Sequence, residues 1–203
     1  MLGKLARETT INGIVDWVKE RRGHRRIANG LAKRGCHVTG LDVAPAFLEQ
    51  ARHNAAASEV KVEYVEGDMR LLPWTEHFDC IINWFTAYGY LPDDDNRKVL
   101  SEACRALKLG GKLLIELNNR ERILKNYQHE TIVERDGNYM LDRMHYDVLM
   151  GRNYVERLII RDGQVRQMHF LFASSPILNS PYGFSRQVFG RSMAMIKMVR
   201  PST

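Results

Sequence analysis

The sequence predicts an α/β fold: a doubly wound parallel sheet that carries an inserted antiparallel sheet. Three observations lead there. Three short apolar runs, Cys36–Leu41, Val60–Val65 and Phe78–Trp84, are rich in Val and Ile, and each stops at a polar residue. Helical segments separate these runs, which is the alternation of parallel β/α units. Farther along, Thr131–Phe172 alternates around Asp136-Gly137 and Asp162-Gly163. Asp-Gly between strand-like runs is a strong hairpin signal.

Length and composition narrow the class. The 203 residues suffice for one domain with a full core. Apolar content of 44% and charged content of 27% fit an ordinary globular protein. The net charge of +6 could mark an anionic partner. However, no long run of Lys or Arg is present, and Arg21-Arg22 with Arg25-Arg26 is the only local cluster. The charge therefore reads as a solvated surface, with no nucleic-acid partner. Cys36, Cys80 and Cys104 are odd in number and far apart, so neither a disulfide framework nor a zinc site is expected. The histidines show no ligand spacing, and no metal is expected. There is no signal peptide and no apolar run long enough to span a bilayer. These features predict a cytoplasmic protein that does not engage a membrane.

In chain order, Thr10–Arg22 reads as an amphipathic helix, with Ile11, Ile14, Val15 and Val18 on one face. Arg25–Arg34 reads as a second helix, stopped by Gly35. Cys36–Leu41 is a strand ended by Asp42. Pro45 opens a helix, where proline is tolerated in the first turn, and that helix runs to about Ala57. Val60–Val65 and Phe78–Trp84 are strands. Asp93–Lys108 is a helix with Val99, Leu100, Ala103 and Leu107 inward; Gly110-Gly111 ends it and leads into the strand Lys112–Leu117. Ile123–Gln128 is a short helix. Four antiparallel strands follow, at about Thr131–Arg135, Tyr139–Tyr146, Asn153–Arg161 and Val165–Phe172. Ala173–Tyr182 is irregular, and Gln187–Phe189 and Ala194–Val199 are the last strands.

In open α/β sheets, ligands bind at the carboxyl ends of the strands. Asp42, Asp68 and Asn83 follow strand ends and would line one crevice. A carboxylate at Asp42 can accept hydrogen bonds from both hydroxyls of a ribose in a Rossmann-like unit; it can equally cap the helix that follows. Asp68 can accept from the exocyclic amine of a purine while Met69 packs on the ring, or it can be a turn residue. Asn83 ends a buried strand, where an amide must be hydrogen-bonded. It either faces a ligand or holds the following loop.

Together these residues resemble a family. Gly40–Pro45, Glu66-Gly67-Asp68-Met69, Phe78–Ile82 and Leu107–Leu113 look like the class I S-adenosylmethionine-dependent methyltransferases, over about Arg25–Asn118. Each motif alone is weak, but the four in order are specific as a set. Asn83–Tyr90 and the inserted strands look like the small-molecule members of the family. The resemblance implies a Rossmann-like sheet with an antiparallel last strand. It implies S-adenosylmethionine as cofactor, held by Asp42 at the ribose, Asp68 and Met69 at the adenine and Asn83 near the methionine portion, with Val43 and Trp84 also in the cofactor site. The implied reaction moves a methyl group to N or O of a small-molecule acceptor. Tyr88, Tyr127 and His145 are the candidate catalytic groups because they lie in the post-strand loop or the insertion.

The chain departs from the family at one place. The first strand and the glycine-rich loop should precede Arg25, and Gly23-His24 stands there instead. Three readings are open: residues of the molecule are missing from this sequence, the segment is deleted, or the N-terminal residues supply a substitute. A jump from one helix straight into the next favours the first.

The expected organisation is a cofactor-binding core at 1–118, an antiparallel lid and dimerisation segment at 119–173, and returning strands at 174–203. A homodimer is expected because the insertion carries more apolar surface than one face can hide. Two rivals remain, a nicotinamide-dependent oxidoreductase and a degenerate binding module.

Overall fold

The structure, a computed structural model, describes residues 12–17, 25–84, 88–116, 118, 120–149, 151–173, 184–189 and 193–198. The chain opens with β1 (Asn12–Trp17) and α1 (Arg25–Ala32), followed by β2 (His37–Asp42), α2 (Pro45–Ala57), β3 (Glu63–Glu66) and β4 (Phe78–Asn83). Next come α3 (Asp93–Ala106), β5 (Leu107–Glu116) and the short α4 (Arg120–Lys125). The insertion is β6 (Glu130–Arg135), β7 (Asn138–Asp147), β8 (Arg152–Arg161) and β9 (Gln164–Ala173), and β10 (Phe184–Phe189) and β11 (Met193–Met198) follow.

The main sheet runs β10-β11-β5-β4-β1-β2-β3. From β3 through β2, β1 and β4 to β5 every pairing is parallel. β11 is antiparallel to both β5 and β10. This is the doubly wound sheet with an antiparallel last strand. The order steps outward from β1 in both directions, so β1 and β4 flank the point where the winding reverses.

β1 corrects the expected helix at Thr10–Arg22. Ile14, Val15 and Asp16 pair with Val38, Thr39 and Gly40 on one side and with Cys80, Ile81 and Ile82 on the other. A short apolar run with two β-branched residues fits either period. Here two parallel neighbours supply backbone partners on both sides, and the tertiary pairing wins. The central strand is therefore drawn from the N-terminal residues, in line with the third reading of the departure at Gly23-His24. Residues 18–24, where the expected helix ends and the loop falls, lie outside the described residues.

A second correction concerns Gly110-Gly111. Helix α3 ends at Ala106, and the glycines sit inside β5. Phe78 pairs with Leu107 and Cys80 with Lys112, so β5 advances five residues while β4 advances two. That bulge needs a left-handed residue, and Gly110 has φ 78°. Leu117 and residues 174–182 lie outside the described residues.

Helices cover both faces of the sheet. On one face Phe78, Ile81, Leu113 and Ile115 pack with Val99, Leu100 and Ala103 of α3. On the other, Val38, Cys80, Ile82 and Leu114 pack with Ala28 and Leu31 of α1. Proline stands in the first turn of α2, and Leu48, Ala51 and Ala55 turn inward at helical spacing.

The insertion is a four-stranded meander in the order β6-β7-β8-β9. Its hairpins turn at Asp136-Gly137 and Asp162-Gly163, all four residues having positive φ. Cross-strand register divides its side chains between two faces. One face carries Asp142, Met144 and Tyr146 with Asn153, Val155 and Arg157, and Phe170 and Phe172. Tyr146, Asn153 and Val155 of this face are buried. The opposite face carries Ile132, Tyr139, His145, Tyr154 and Val165. All five are exposed.

Candidate functional site

Three parallel strands place the candidate residues at one end of the sheet. β2 stops at Asp42, β3 at Glu66 and β4 at Asn83. Asp42 and Glu66 are register partners, and the Gly67 N–H donates to the Asp42 carbonyl at 3.0 Å. The Asp42 carboxylate accepts the Ala44 N–H at 2.8 Å, a local turn that fixes it at the head of α2. Val43 beside it is 64% exposed, an apolar side chain left uncovered where a planar ring could pack. A Cβ at Gly67 would stand 2.8 Å from Leu41 Cδ1, so the Leu41 side chain would have to shift to admit it.

Asp68 is half-buried and held by Arg70. The Arg70 N–H donates to Oδ1 at 2.8 Å, Nε donates to Oδ2 at 2.9 Å and Nη2 to Oδ2 at 2.6 Å. Arg70 Nη1 also reaches Asp95 at 2.8 Å. This grip holds the Asp68 carboxyl below its usual range. Met69 packs against the core beneath. Asn83 is fully buried, and its Oδ1 accepts the Tyr88 N–H at 2.9 Å. Its Nδ2 has no hydrogen-bond partner among the described residues. A buried amide donor without a partner is unusual, and this one stands at the carboxyl end of the strand beside the winding reversal. Trp84 follows and packs on the α1 side of the core.

Residues 22–111 match the family model of a methyltransferase domain. That stretch is similar to methyltransferase domains. A demethylmenaquinone methyltransferase of Thermus thermophilus is 35% identical over 82 residues, covering 40% of this chain and 36% of that protein. Among solved structures, the CcbJ methyltransferase of Streptomyces caelestis has a TM-score of 0.75 at 17% identity, covering 97% of this chain and 87% of that one. An S-adenosylmethionine-dependent methyltransferase of Clostridium acetobutylicum has a TM-score of 0.71 at 13% identity, covering 96% and 87%. At these identities the structural likeness establishes the fold. The chain spans less than half the length of the curated relatives it matches.

The parallel sheet brings Asp42, Val43, Asp68, Met69, Asn83 and Trp84 to one end; the three candidate catalytic groups are dispersed. Tyr88 is buried directly after β4. Burial, with Asp93 nearby, pushes its hydroxyl up to about 12, so it is protonated at neutral pH. Tyr127 donates its hydroxyl to the Met144 carbonyl at 2.6 Å. His145 lies on the exposed face of the insertion, its ring 6.2 Å from that of Tyr154. A cavity of about 720 Å³ there is lined by Tyr90, His129, His145, Tyr154, Glu156 and His169, among others.

Contacts that the residue patterns did not single out join the insertion to the domain. Tyr90 meets Phe172 edge-on at 4.9 Å. Arg152, buried at the start of β8, pairs with Asp93 in the first turn of α3. On the same face as Phe172, Arg157 grips Asp142 through two bonds, at 2.6 and 2.5 Å, and lies 4.8 Å over the Phe170 ring. The Asp142–Arg157 pair could have been found by counting out from the hairpin turn, since the two are register partners. The Arg152–Asp93 pair joins segments far apart in the chain and leaves no local signal.

Proposed function

We propose that the protein transfers a methyl group from S-adenosylmethionine to N or O of a small-molecule acceptor. The observation that carries this reading is the convergence of Asp42, Asp68 and the unpartnered Nδ2 of Asn83 at the carboxyl ends of β2, β3 and β4. These residues fit the group. Asp42 would accept from the ribose hydroxyls, with exposed Val43 against the adenine. Asp68 and Met69 would meet the adenine edge. The Asn83 Nδ2, without a partner among the described residues, would donate toward the amino-acid portion, and Trp84 would stand beside it.

When bound, the sulfonium supplies an activated methyl group whose positive charge disappears on transfer. The chain's own contribution is chiefly position: the loop from Tyr88 to Tyr90 presents the acceptor to the crevice, and the insertion excludes water above it. Tyr88, protonated at neutral pH, orients by donating a hydrogen bond. The Tyr127 hydroxyl is engaged with the Met144 carbonyl and orients its strand. His145 acts as a base only for an acceptor that reaches its cavity.

The insertion at 119–173 is read as the lid over the core at 1–118, with 174–203 returning to the core sheet. Its uncovered face, with Ile132, Tyr139, Tyr154 and Val165, supports a homodimer. Three free cysteines, two of them buried, support a reducing, cytoplasmic setting. The diffuse positive charge supports a small acceptor over nucleic acid. The test is transfer of a labelled methyl group from S-adenosylmethionine to a panel of small amines and phenols. Labelled product supports the reading; tight cofactor binding with no product from any acceptor counts against it.

A further inference from the structure

Asn153 is a buried polar residue that the reading so far leaves without a task. It is 8% exposed, and its Oδ1 has no hydrogen-bond partner among the described residues. Register places it between Tyr146 and Phe172 on the inner face of the insertion. Phe172 in turn meets Tyr90, which follows β4 and the buried Asn83. The preceding residue, Arg152, is tied to Asp93 at the head of α3. The strand that carries Asn153 is thus anchored over the carboxyl end of the parallel sheet.

The surroundings define what such an acceptor atom could meet. The charged side chains near Asn153 are paired: Arg157 on the same face with Asp142, and the neighbouring Arg152 with Asp93 at the head of α3. The side chains immediately around Asn153 are aromatic, with Tyr146, Phe170 and Phe172 beside Tyr90. A buried carbonyl oxygen without a donor is unfavourable, and a donor arriving from a ligand would satisfy it.

We infer that Asn153 is a specificity-determining residue whose amide oxygen accepts a hydrogen bond from a hydroxyl or N–H of an uncharged, ring-bearing methyl acceptor. The inference rests on the methyl-transfer reading and names its substrate class. A site built to receive a donor rejects the analogue that lacks it.

The experiment has two arms. In the first, Asn153→Leu is melted without ligand. No native bond is lost, so it should melt at or above the wild type. A fall of several degrees would mean that Asn153 already has a structural partner, and would overturn the inference. In the second arm, 2-naphthol and 2-methoxynaphthalene are titrated into the wild type and Asn153→Leu, with and without S-adenosylhomocysteine. The wild type should bind the naphthol at least fivefold more tightly, and the variant should lose that preference. No preference in the wild type, or one that survives in the variant, overturns the inference. S-adenosylhomocysteine titrated alone tests the methyl-transfer reading separately. Its binding without a naphthol preference removes the role of Asn153 alone; failure to bind removes the methyl-transfer reading, while the cofactor-free titration still decides Asn153.

Discussion

The carboxamide oxygen of Asn83 accepts the backbone N–H of Tyr88 at 2.9 Å, with the Asn83 side chain fully buried. One amide therefore does two things. Its oxygen holds the Tyr88 N–H, and its nitrogen, without a partner among the described residues, is the donor proposed to meet the cofactor.

Asn83→Leu keeps the volume and removes both functions. The Tyr88 N–H is then buried without a partner, which costs about 1–3 kcal/mol. The urea midpoint should fall accordingly, and cofactor affinity should fall with it. A variant as stable as the wild type would show that the Tyr88 N–H finds another acceptor.

Gly67→Ala tests the close approach between the ends of β2 and β3. The added Cβ meets Leu41 Cδ1 at 2.8 Å, so Leu41, which is fully buried, must shift. Overpacking of this kind costs about 1–3 kcal/mol. Leu41→Val in the same chain should recover part of the loss, which a double-mutant cycle measures. Additive penalties would contradict the steric account.

Acid should unfold the protein through carboxylates held by arginine. Arg70 lowers the Asp68 carboxyl from 3.8, and Arg105 lowers Glu102 from 4.5. A carboxyl depressed in the folded state stabilises the protein above its unfolded value, and that stability is lost as pH falls through the folded value. Melting temperature should therefore hold from pH 7 to about pH 5 and drop below about pH 4. Asp68→Asn should shallow that acid limb and weaken cofactor binding at pH 7. The Asp68 pair is partly exposed, so salt should reduce its share. An identical acid limb in the variant would remove Asp68 from the account.

The parallel core and the meander were legible in the sequence because each element carried its own signal. Val and Ile runs marked β2 to β4, and Asp-Gly pairs marked two of the turns within β6 to β9. Asp42, Asp68 and Asn83 could be placed because they follow such runs. β1 was not legible: its short Ile14-Val15 run fits a helical face as well as a strand, and its partners β2 and β4 are fixed only by the sheet topology. The bulge at Gly110 was hidden because the same glycine pair also marks a helix end. The tie from Arg152 to Asp93 depends on how the insertion folds back, which residue order alone does not encode.

The exposed face of the insertion gives a test of assembly. Ile132 is 65% exposed and Val165 66%, on the two outer strands of the meander. Ile132→Lys with Val165→Lys should convert a dimer into a monomer in light scattering while leaving the melting temperature of the subunit nearly unchanged. A wild type that is monomeric at high concentration would contradict the proposed pairing.

The central claim is that the crevice at the ends of β2, β3 and β4 holds S-adenosylmethionine, and calorimetric titration of the wild type and Asp42→Ala tests it most directly. Hydrogen bonds to a charged acceptor contribute roughly 1.5–3 kcal/mol, and about 1.4 kcal/mol is tenfold in affinity. The account predicts saturable binding by the wild type, at least tenfold weaker binding by the variant with unchanged far-UV circular dichroism, and no binding of NAD by either. Equal affinity in the two proteins, or saturable binding of NAD in place of S-adenosylmethionine, would contradict it.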